Sequence, residues 1–203
     1  MAKIKDRAKP SIPPVAPGTY VGICVHAIDI GEQLVTFKDK KNYSNQIMDV
    51  FELVGEFIEV DGVQQPRTLS RTFTFSNSEK SGLRKFVESW QGKKFSNEEF
   101  GEFDTNDVVG KEAMINVVLN DSGEYANIDS VIPLPKGMSA GTPQSKLIKF
   151  DIDPWNQAAF DGLPEWAQER IKKSTQYQKD HAPETTVEVK QEAESTKQEE
   201  CPI

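Results

Sequence analysis

The sequence has little of the chemistry that metal centres and disulfide frameworks require. Its 203 residues include only two cysteines and two histidines. Cys24 falls in a predicted strand and Cys201 in a predicted tail, so neither a disulfide framework nor a zinc-binding pattern is available. His26 and His181 lie far from any cluster of acids or cysteines with ligand spacing. We therefore expect no metal site and no cofactor.

Motifs for catalysis are missing as well. There is no Gly-x-Ser-x-Gly elbow, and no glycine-rich loop leads into Lys-Ser or Lys-Thr as a phosphate-binding loop requires. The acid pair Glu98-Glu99 falls in a predicted loop, where solvated charge is the ordinary explanation. We therefore do not expect an enzyme.

Long apolar runs are absent too. The opening MAKIKDRAKPSIPP has no apolar stretch of signal-peptide length, and no run of about 18 apolar residues occurs anywhere in the sequence. These two absences predict a soluble, cytoplasmic protein.

The charge is acidic and unevenly distributed. Lysine and arginine number 24 against 32 acids, a net charge of −8, and residues 181–203 alone hold six acids and two lysines. An acidic chain is a poor candidate for wrapping duplex DNA, although a local basic groove can still attract phosphates. We expect a disordered acidic tail over 179–203, where apolar residues are scarce, and a flexible basic arm over 1–17.

The middle of the chain predicts a mainly β domain. Alternating patterns indicate strands in GTYVGICVHAIDI, QIMDVFELVGEFIEV and RTLSRTFTF, with a loop at KDKKNYSN and a hairpin turn at Asp61-Gly62. A helix follows, which we expect to begin at a capping box of Ser76 and Glu79 and to end at Gly92. Its apolar stripe is formed by Leu83, Phe86, Val87 and Trp90, at i, i+3, i+4 and i+7. The segments KEAMINVVL and EYANIDSVIPL predict two further strands.

Three strands, a helix and two strands are the layout of a five-stranded OB-fold barrel, which we predict over 18–136. A small β-sandwich and another kind of open barrel are the alternatives. Residues 137–149 read as a linker and 150–178 as a small helical segment. Within that segment Asp153 is expected to cap a helix that has Pro154 at its first position.

Basic and aromatic residues are interleaved where an OB-fold has its binding groove, which is the face of strands two and three and the loops after strands one and four. Single-strand binding needs flat side chains on which bases stack and cations that follow the phosphates. Phe73 and Phe75 share one face of the third strand with Arg67 and Arg71, and the pattern leaves open whether the two rings are core or stacking residues. The candidate DNA-binding residues are Lys38, Lys40, Lys41, Tyr43, Arg67, Arg71 and Tyr125.

Four blocks of the sequence, spread over residues 15–178, resemble phage-encoded single-stranded-DNA-binding proteins of the OB-fold type. They are GTYVG, RTFTFS with LRKFVESWQGK, VGKEAMINVVLNDSGEYANIDSVIPLPKGM, and FDIDPWNQAAFDGLPEWAQERIKKSTQYQ. The resemblance implies binding of single-stranded DNA without a cofactor, during phage replication or recombination in an infected bacterial cell.

The last residues extend this comparison. Bacterial single-strand binders end in an acidic tail whose tip of acids, proline and a terminal aromatic docks to partner proteins. In this chain Glu199, Glu200, Pro202 and Ile203 match that pattern, whereas Cys201 before the proline and isoleucine in place of the aromatic depart from it. The smaller side chain would bury less area, so any capture of this tip should be weaker.

Two other functions are compatible with the sequence. One is a noncatalytic protein-interaction module of a replication or recombination complex, and the other is a barrel that binds a small ligand. The basic and aromatic loops favour nucleic acid, while the overall acidity mildly favours a protein partner. Because one barrel covers only a short stretch of single strand, we also expect a homo-oligomer or cooperative binding.

Overall fold

The computed structural model describes residues 13–60 and 62–181, and for Phe37 it describes the backbone alone. The strands are β1 (Gly18–Phe37), β2 (Lys40–Val60), β3 (Val63–Thr74), β4 (Glu112–Leu119), β5 (Ala126–Ile132) and β6 (Ile148–Phe150). The helices are α1 (Gly82–Gln91), α2 (Asn97–Gly101), α3 (Gln157–Asp161), α4 (Glu165–Ile171) and α5 (Thr175–Asp180), with one 3-10 turn at Thr105–Val108.

The strands form a single six-stranded sheet, which confirms the mainly β prediction. Its order is β3-β2-β1-β4-β5, and neighbours in this path are antiparallel. The short β6 pairs parallel with β1, where Ile148 lies opposite His26. The prediction of five strands missed β6, which crosses the expected boundary between a linker and a helical segment at residues 149 and 150.

The two outer strands of this order, β3 and β5, approach each other through a side chain. The guanidinium of Arg71 on β3 donates hydrogen bonds to the carbonyl oxygens of Ile128, at 2.8 Å, and Asp129 on β5. The pairing of β3 with β2, and of β2 with β1, puts Arg71 level with Ala27 of β1. The pairing of β5 with β4, and of β4 with β1, puts Ile128 level with Gly18 of β1. The sheet edges therefore meet with the stagger of a curled sheet, although the described residues form no backbone ladder between them.

The main core lies between the inner face of the sheet and α1. The ring of Phe73 packs 4.7 Å from that of Phe86, and Phe51 lies 5.2 Å from Trp90, between centroids. The apolar stripe predicted for this helix is confirmed, since its members Leu83, Phe86, Val87 and Trp90 are all buried.

The start of α1 differs from the predicted capping box. Ser81 is the N-cap residue, and its side chain accepts a hydrogen bond from the backbone N–H of Arg84. Ser76 and Glu79 precede the helix, because the chain is still tied to β2 at Phe75, whose N–H donates to the carbonyl of Asn45 at 2.8 Å. The predicted end is confirmed: Gly92 adopts a φ of 65°, a left-handed conformation that suits glycine.

A second core forms on the outer face of β1 and β2, which residues 148–177 cover. Val25, Ile28 and Met48 of the sheet pack there with Phe150 and Ile171, among others. The predicted helical segment is therefore a layer of the fold, which we call the C-terminal layer. Its first helix begins after Asn156, whose side chain accepts from the N–H of Ala159, so the prediction of Asp153 and Pro154 at the helix start is wrong.

Gly31 explains how closely the C-terminal layer approaches β1. Its φ of 71° is left-handed, and a Cβ at this position would lie 2.6 Å from Ile152 Cδ1 and 2.9 Å from Ser174 Cβ. The register of β1 and β2 also shifts between Asp29 and Gly31, which is the mark of a β-bulge. This glycine both bends the strand and leaves room for the layer.

The part of the predicted flexible arm that the structure describes is packed. Val15 is buried in the main core, and the carbonyl of Pro13 accepts a hydrogen bond from the guanidinium of Arg67. Among the described residues, no helix is long and apolar enough to cross a membrane.

Candidate nucleic-acid interface

The β1-β2 hairpin extends as a two-stranded arm, residues 32–45, which we call the hairpin arm. Its ladder continues to Phe37 and Lys40, so the connection consists of Lys38 and Asp39 alone. Their φ values of 47° and 62° are those of a type I′ turn, whose twist matches that of the paired strands. The prediction of a loop over KDKKNYSN is therefore wrong beyond these two residues.

One face of the hairpin arm carries exposed apolar side chains. Leu34 lies opposite Tyr43 in the ladder. Phe75 follows β3, and its N–H is bonded to the carbonyl of Asn45, two residues from Tyr43 along β2. By strand alternation these side chains share the face that carries Phe73 into the core. Beyond the core this face is open to solvent: Leu34 is 49% exposed, Tyr43 61% and Phe75 56%. We call these three residues the apolar strip.

Three lysines of the arm lie near the apolar strip, one of them on its face. Lys41 lies opposite Thr36 and falls on the face of the strip, whereas Lys40 points to the opposite face and Lys38 occupies the turn. All three side chains are exposed. A chain that lies along the strip would therefore meet aromatic faces with cations at their side, the combination that single-stranded nucleic acid prefers.

Phe73 and Phe75, which the sequence left undecided, have different roles. Phe73 is 5% exposed and packs against Phe86 of α1, so it is a core residue. Phe75 lies two residues further along the same face, beyond the edge of the core. The sequence alone could not separate the two rings, because the point at which the chain leaves the sheet on its way to α1 decides which ring the helix covers.

Both arginines of the predicted site are held by protein groups. Arg71 lies over the rings of Phe73 and Phe86, at 5.2 and 5.4 Å from their centroids, while bonding to β5. Arg67 is bonded to the carbonyl of Pro13. The structure thus gives both side chains roles in packing, and their contact with DNA stays a prediction.

Tyr125 is exposed but lies away from the hairpin arm. It sits at the β4-β5 turn, where its N–H donates to Asn120 Oδ1 at 3.0 Å, and 67% of its surface is open. Because Ile128 meets Arg71, Tyr125 is level with the first half of β3, roughly 20 Å along that strand from Phe75. The predicted site therefore divides into the lysines and Tyr43 at one end and Tyr125 at the other.

Two groups with raised pKa values, Asp49 and Cys24, lie on the inner face of the sheet and not at the arm. Asp49 is buried on the inner face of β2, and its Oδ1 has no hydrogen-bond partner among the described residues. Burial raises the pKa of this carboxyl to about 7. Burial, and then the charge of Asp49, raises the pKa of the Cys24 thiol well above its usual value. The residues that the structure describes contain no group of three or more side chains that could hold a metal ion.

No family model, curated protein or solved structure matches this chain. The predicted docking tip, Glu199, Glu200, Pro202 and Ile203, lies outside the described residues. The geometry of the hairpin arm and of the sheet therefore carries the functional argument.

Proposed function

We propose that this chain is a noncatalytic single-stranded-DNA-binding protein built on an OB-fold barrel. The fold part of the proposal is supported by the order β3-β2-β1-β4-β5, by α1 between β3 and β4, and by the approach of β3 to β5 through Arg71. A five-stranded, partly open barrel of this kind binds oligonucleotides on the face of its second and third strands and on adjoining loops. The sixth strand and the C-terminal layer are additions to that plan.

The observation that carries the functional part is the apolar strip with its lysines. Two aromatic rings, Tyr43 and Phe75, are more than half exposed although strand pairing fixes their backbones. Exposed apolar groups rimmed by polar ones mark interaction sites. Every base offers a π-face to such rings, so binding of this kind tolerates any sequence, while the lysines neutralise phosphates.

The C-terminal layer limits where a strand of DNA can lie. It covers the outer face of β1 and β2, and Arg170 of α4 reaches across to Thr72 of β3, with 3.1 Å between guanidinium nitrogen and hydroxyl oxygen. The path that stays open runs along the hairpin arm and past Phe75. We place the bound strand there, and Tyr125 contacts DNA only if the strand continues along β3.

The wider role follows the resemblance of the four sequence blocks. We extend the proposal to phage DNA replication or recombination, in the cytoplasm of an infected bacterial cell, with residues Glu199, Glu200, Pro202 and Ile203 docking to partner proteins. Deleting residues 182–203 tests the docking directly. Partner capture should be lost. Single-strand affinity should rise modestly, because an acidic segment competes with DNA for the lysines of the hairpin arm at low salt.

A titration tests the proposal. Labelled oligo-dT and a matched duplex are titrated at two salt concentrations, with wild type and a variant in which three lysines become glutamine. Wild type should prefer the single strand, and its log affinity should fall linearly with log salt. Because each phosphate contact contributes about 0.7 to that slope for single strands, the variant should lower the slope by about 0.7 or more, since Lys41 lies on the face of the apolar strip. The three lysines are Lys38, Lys40 and Lys41.

A matched control replaces Lys85, Lys149 and Lys173, three exposed lysines outside the arm, by glutamine. This variant should keep most of the wild-type slope. Equal binding of duplex and single strand, or no binding of the single strand at low salt, would contradict the proposed function.

A further inference from the structure

A small cleft opens next to the apolar strip, between the end of β3 and α2. It has a volume of about 220 Å³. Its walls are mostly apolar, and Phe75 forms the side that faces the strip. The remaining lining residues are Ser76, Asn77, Leu83, Phe100, Gly101, Phe103 and Thr105.

The lining of the cleft includes a pair of stacked aromatic rings. The rings of Phe100 and Phe103 lie 5.7 Å apart with an angle of 5° between their planes, and each makes an edge contact with Phe95. Phe100 is buried and Phe103 half-buried. The backbone of Phe75, the third aromatic of the lining, is held by the hydrogen bond from its N–H to the carbonyl of Asn45. A flat group that enters would therefore meet aromatic rings that are already positioned.

The rim of the cleft is polar. The Asn77 side chain donates from Nδ2 to the carbonyl of Asn97 at 3.3 Å and packs against Gly101, where an added Cβ would lie 3.3 Å from Nδ2. A side-chain amide offers a donor and an acceptor to the polar edge of a base. Thr105 adds a hydroxyl that can play either part. The missing side chain at Gly101 keeps the opening wide.

We propose that this cleft takes up one unstacked nucleobase of the bound single strand, while a neighbouring base stacks on Tyr43. The inference rests on the proposed function and adds a second element to its site. Phe75 joins the two, since it belongs to both the strip and the cleft. Tyr43 and Phe75 occupy diagonal positions of adjacent strands, which lie roughly 7–8 Å apart. At this spacing two neighbouring bases of one DNA strand can each contact one of the two rings.

The charges of the arm favour a nucleobase over an apolar peptide side chain. A base that enters the cleft brings a phosphate on either side, and Lys41 lies on the same face of the arm as Tyr43. The polar rim also matches a heterocycle, which has an aromatic face and hydrogen-bonding edges, better than an aliphatic side chain.

Three variants separate the cleft from the rest of the site. Phe75→Ala removes the shared wall. Gly101→Val narrows the cleft beside Asn77 and changes no residue of the apolar strip, and Gly101 has no left-handed φ that a side chain would strain. Phe57→Ala is the matched control, because Phe57 is a similarly exposed phenylalanine, 43% against 56%, on the distant β2-β3 hairpin. Binding is measured by fluorescence anisotropy with an eight-nucleotide dT strand, which leaves little room for sliding, and with versions that carry one abasic residue at each position.

Phe75→Ala should weaken binding about tenfold or more, the loss of one stacked base, with an unchanged salt slope, while Phe57→Ala should bind as wild type does. In wild type, loss of the base at one position should cost more than at the others. Gly101→Val should weaken binding severalfold and remove this dependence on position. If Gly101→Val binds like wild type with the same dependence on position, the cleft proposal is overturned, and the proposed function stands as long as Phe75→Ala still weakens binding. If wild type binds no single strand, both are wrong.

Discussion

The buried carboxyl of Asp49 leads to a prediction about stability that does not depend on the function. This residue sits on the inner face of β2, fully enclosed, and burial alone raises its pKa from 3.8 to about 7. Arg71 lies opposite Asp49 in the ladder but is engaged with β5. In the folded protein the charged form of Asp49 therefore lacks compensation.

The sign of the pH dependence follows from this raised pKa. Below pH 4 the carboxyl is protonated in both states and Asp49 adds no pH-dependent term. Between about pH 4 and pH 7 the folded state retains the proton that the unfolded state has lost, so the contribution of Asp49 to stability falls as the pH rises. A shift of about three pKa units corresponds to about 4 kcal/mol, and relaxation around the charge would lower this figure.

We expect Asp49→Asn to remove this dependence. Relative to wild type the variant should gain about 2–4 kcal/mol of unfolding free energy between pH 4 and pH 8. The measurement is urea unfolding followed by fluorescence at several pH values. His26 also affects the pH dependence of stability. Burial lowers the pKa of this histidine, so its contribution to the unfolding free energy rises with pH over part of the same range. Both proteins contain His26, so the difference between them isolates Asp49.

Asp121→Asn is the control for this experiment, since Asp121 is exposed in the β4-β5 turn. Its unfolding free energy should follow that of wild type at every pH. The reasoning would be refuted if Asp49→Asn also differed from wild type by the same amount at pH 4 and pH 8, because a constant difference reflects packing and not titration.

Two further variants test the architecture. Arg71→Met keeps most of the side-chain stem but loses the bonds to Ile128 and Asp129, so it should destabilise the protein by about 1.5–3 kcal/mol in urea unfolding. The salt slope of DNA binding by this variant tests the predicted DNA contact: it should fall by about 0.7 if Arg71 contacts a phosphate, and an unchanged slope would contradict that contact. Gly31→Ala should cost more stability than Gly55→Ala. Both glycines have a left-handed φ, which costs an alanine about 1–2 kcal/mol. Only at Gly31 does the added Cβ also meet the C-terminal layer. Equal losses of stability in the two variants would contradict that contact.

The strands of the sheet could be predicted because their signals are local. Alternating patterns located β1 to β5, and the stripe of Leu83, Phe86, Val87 and Trp90 located α1. The register shift at Gly31 did not interrupt β1, which the sequence also suggested by the strand-like LVTF beyond the glycine. Periodicity of this kind depends only on which face of an element is buried.

The hairpin arm was mispredicted because its turn lacks the usual signal. A type I′ turn requires a positive φ at both central residues, and glycine or asparagine normally supplies it. Here Lys38 and Asp39 take that conformation, so KDKKNYSN resembles a polar loop. With the loop reduced to two residues, Tyr43 and Lys41 gain a fixed face, which is what turns a charged loop into a candidate binding surface.

Other features depend on contacts between distant parts of the chain. The three residues of β6 show no strand pattern of their own and pair only because β1 has a free edge at His26. Arg71, predicted as a DNA contact, also donates to two carbonyls of β5. No local pattern contains this information. The exposed Phe75 has the same cause, since only the departure of the chain toward α1 separates it from Phe73.

The central prediction is that single-stranded DNA contacts the hairpin arm and Phe75. Photocrosslinking to an oligonucleotide that contains 5-bromodeoxyuridine, followed by peptide mapping, tests this position. We predict crosslinks in the hairpin arm at Tyr43 and at Phe75, with a marked loss of the second in Phe75→Ala. Crosslinks confined to the C-terminal layer or to the β2-β3 hairpin, or none at saturating protein, would contradict the account.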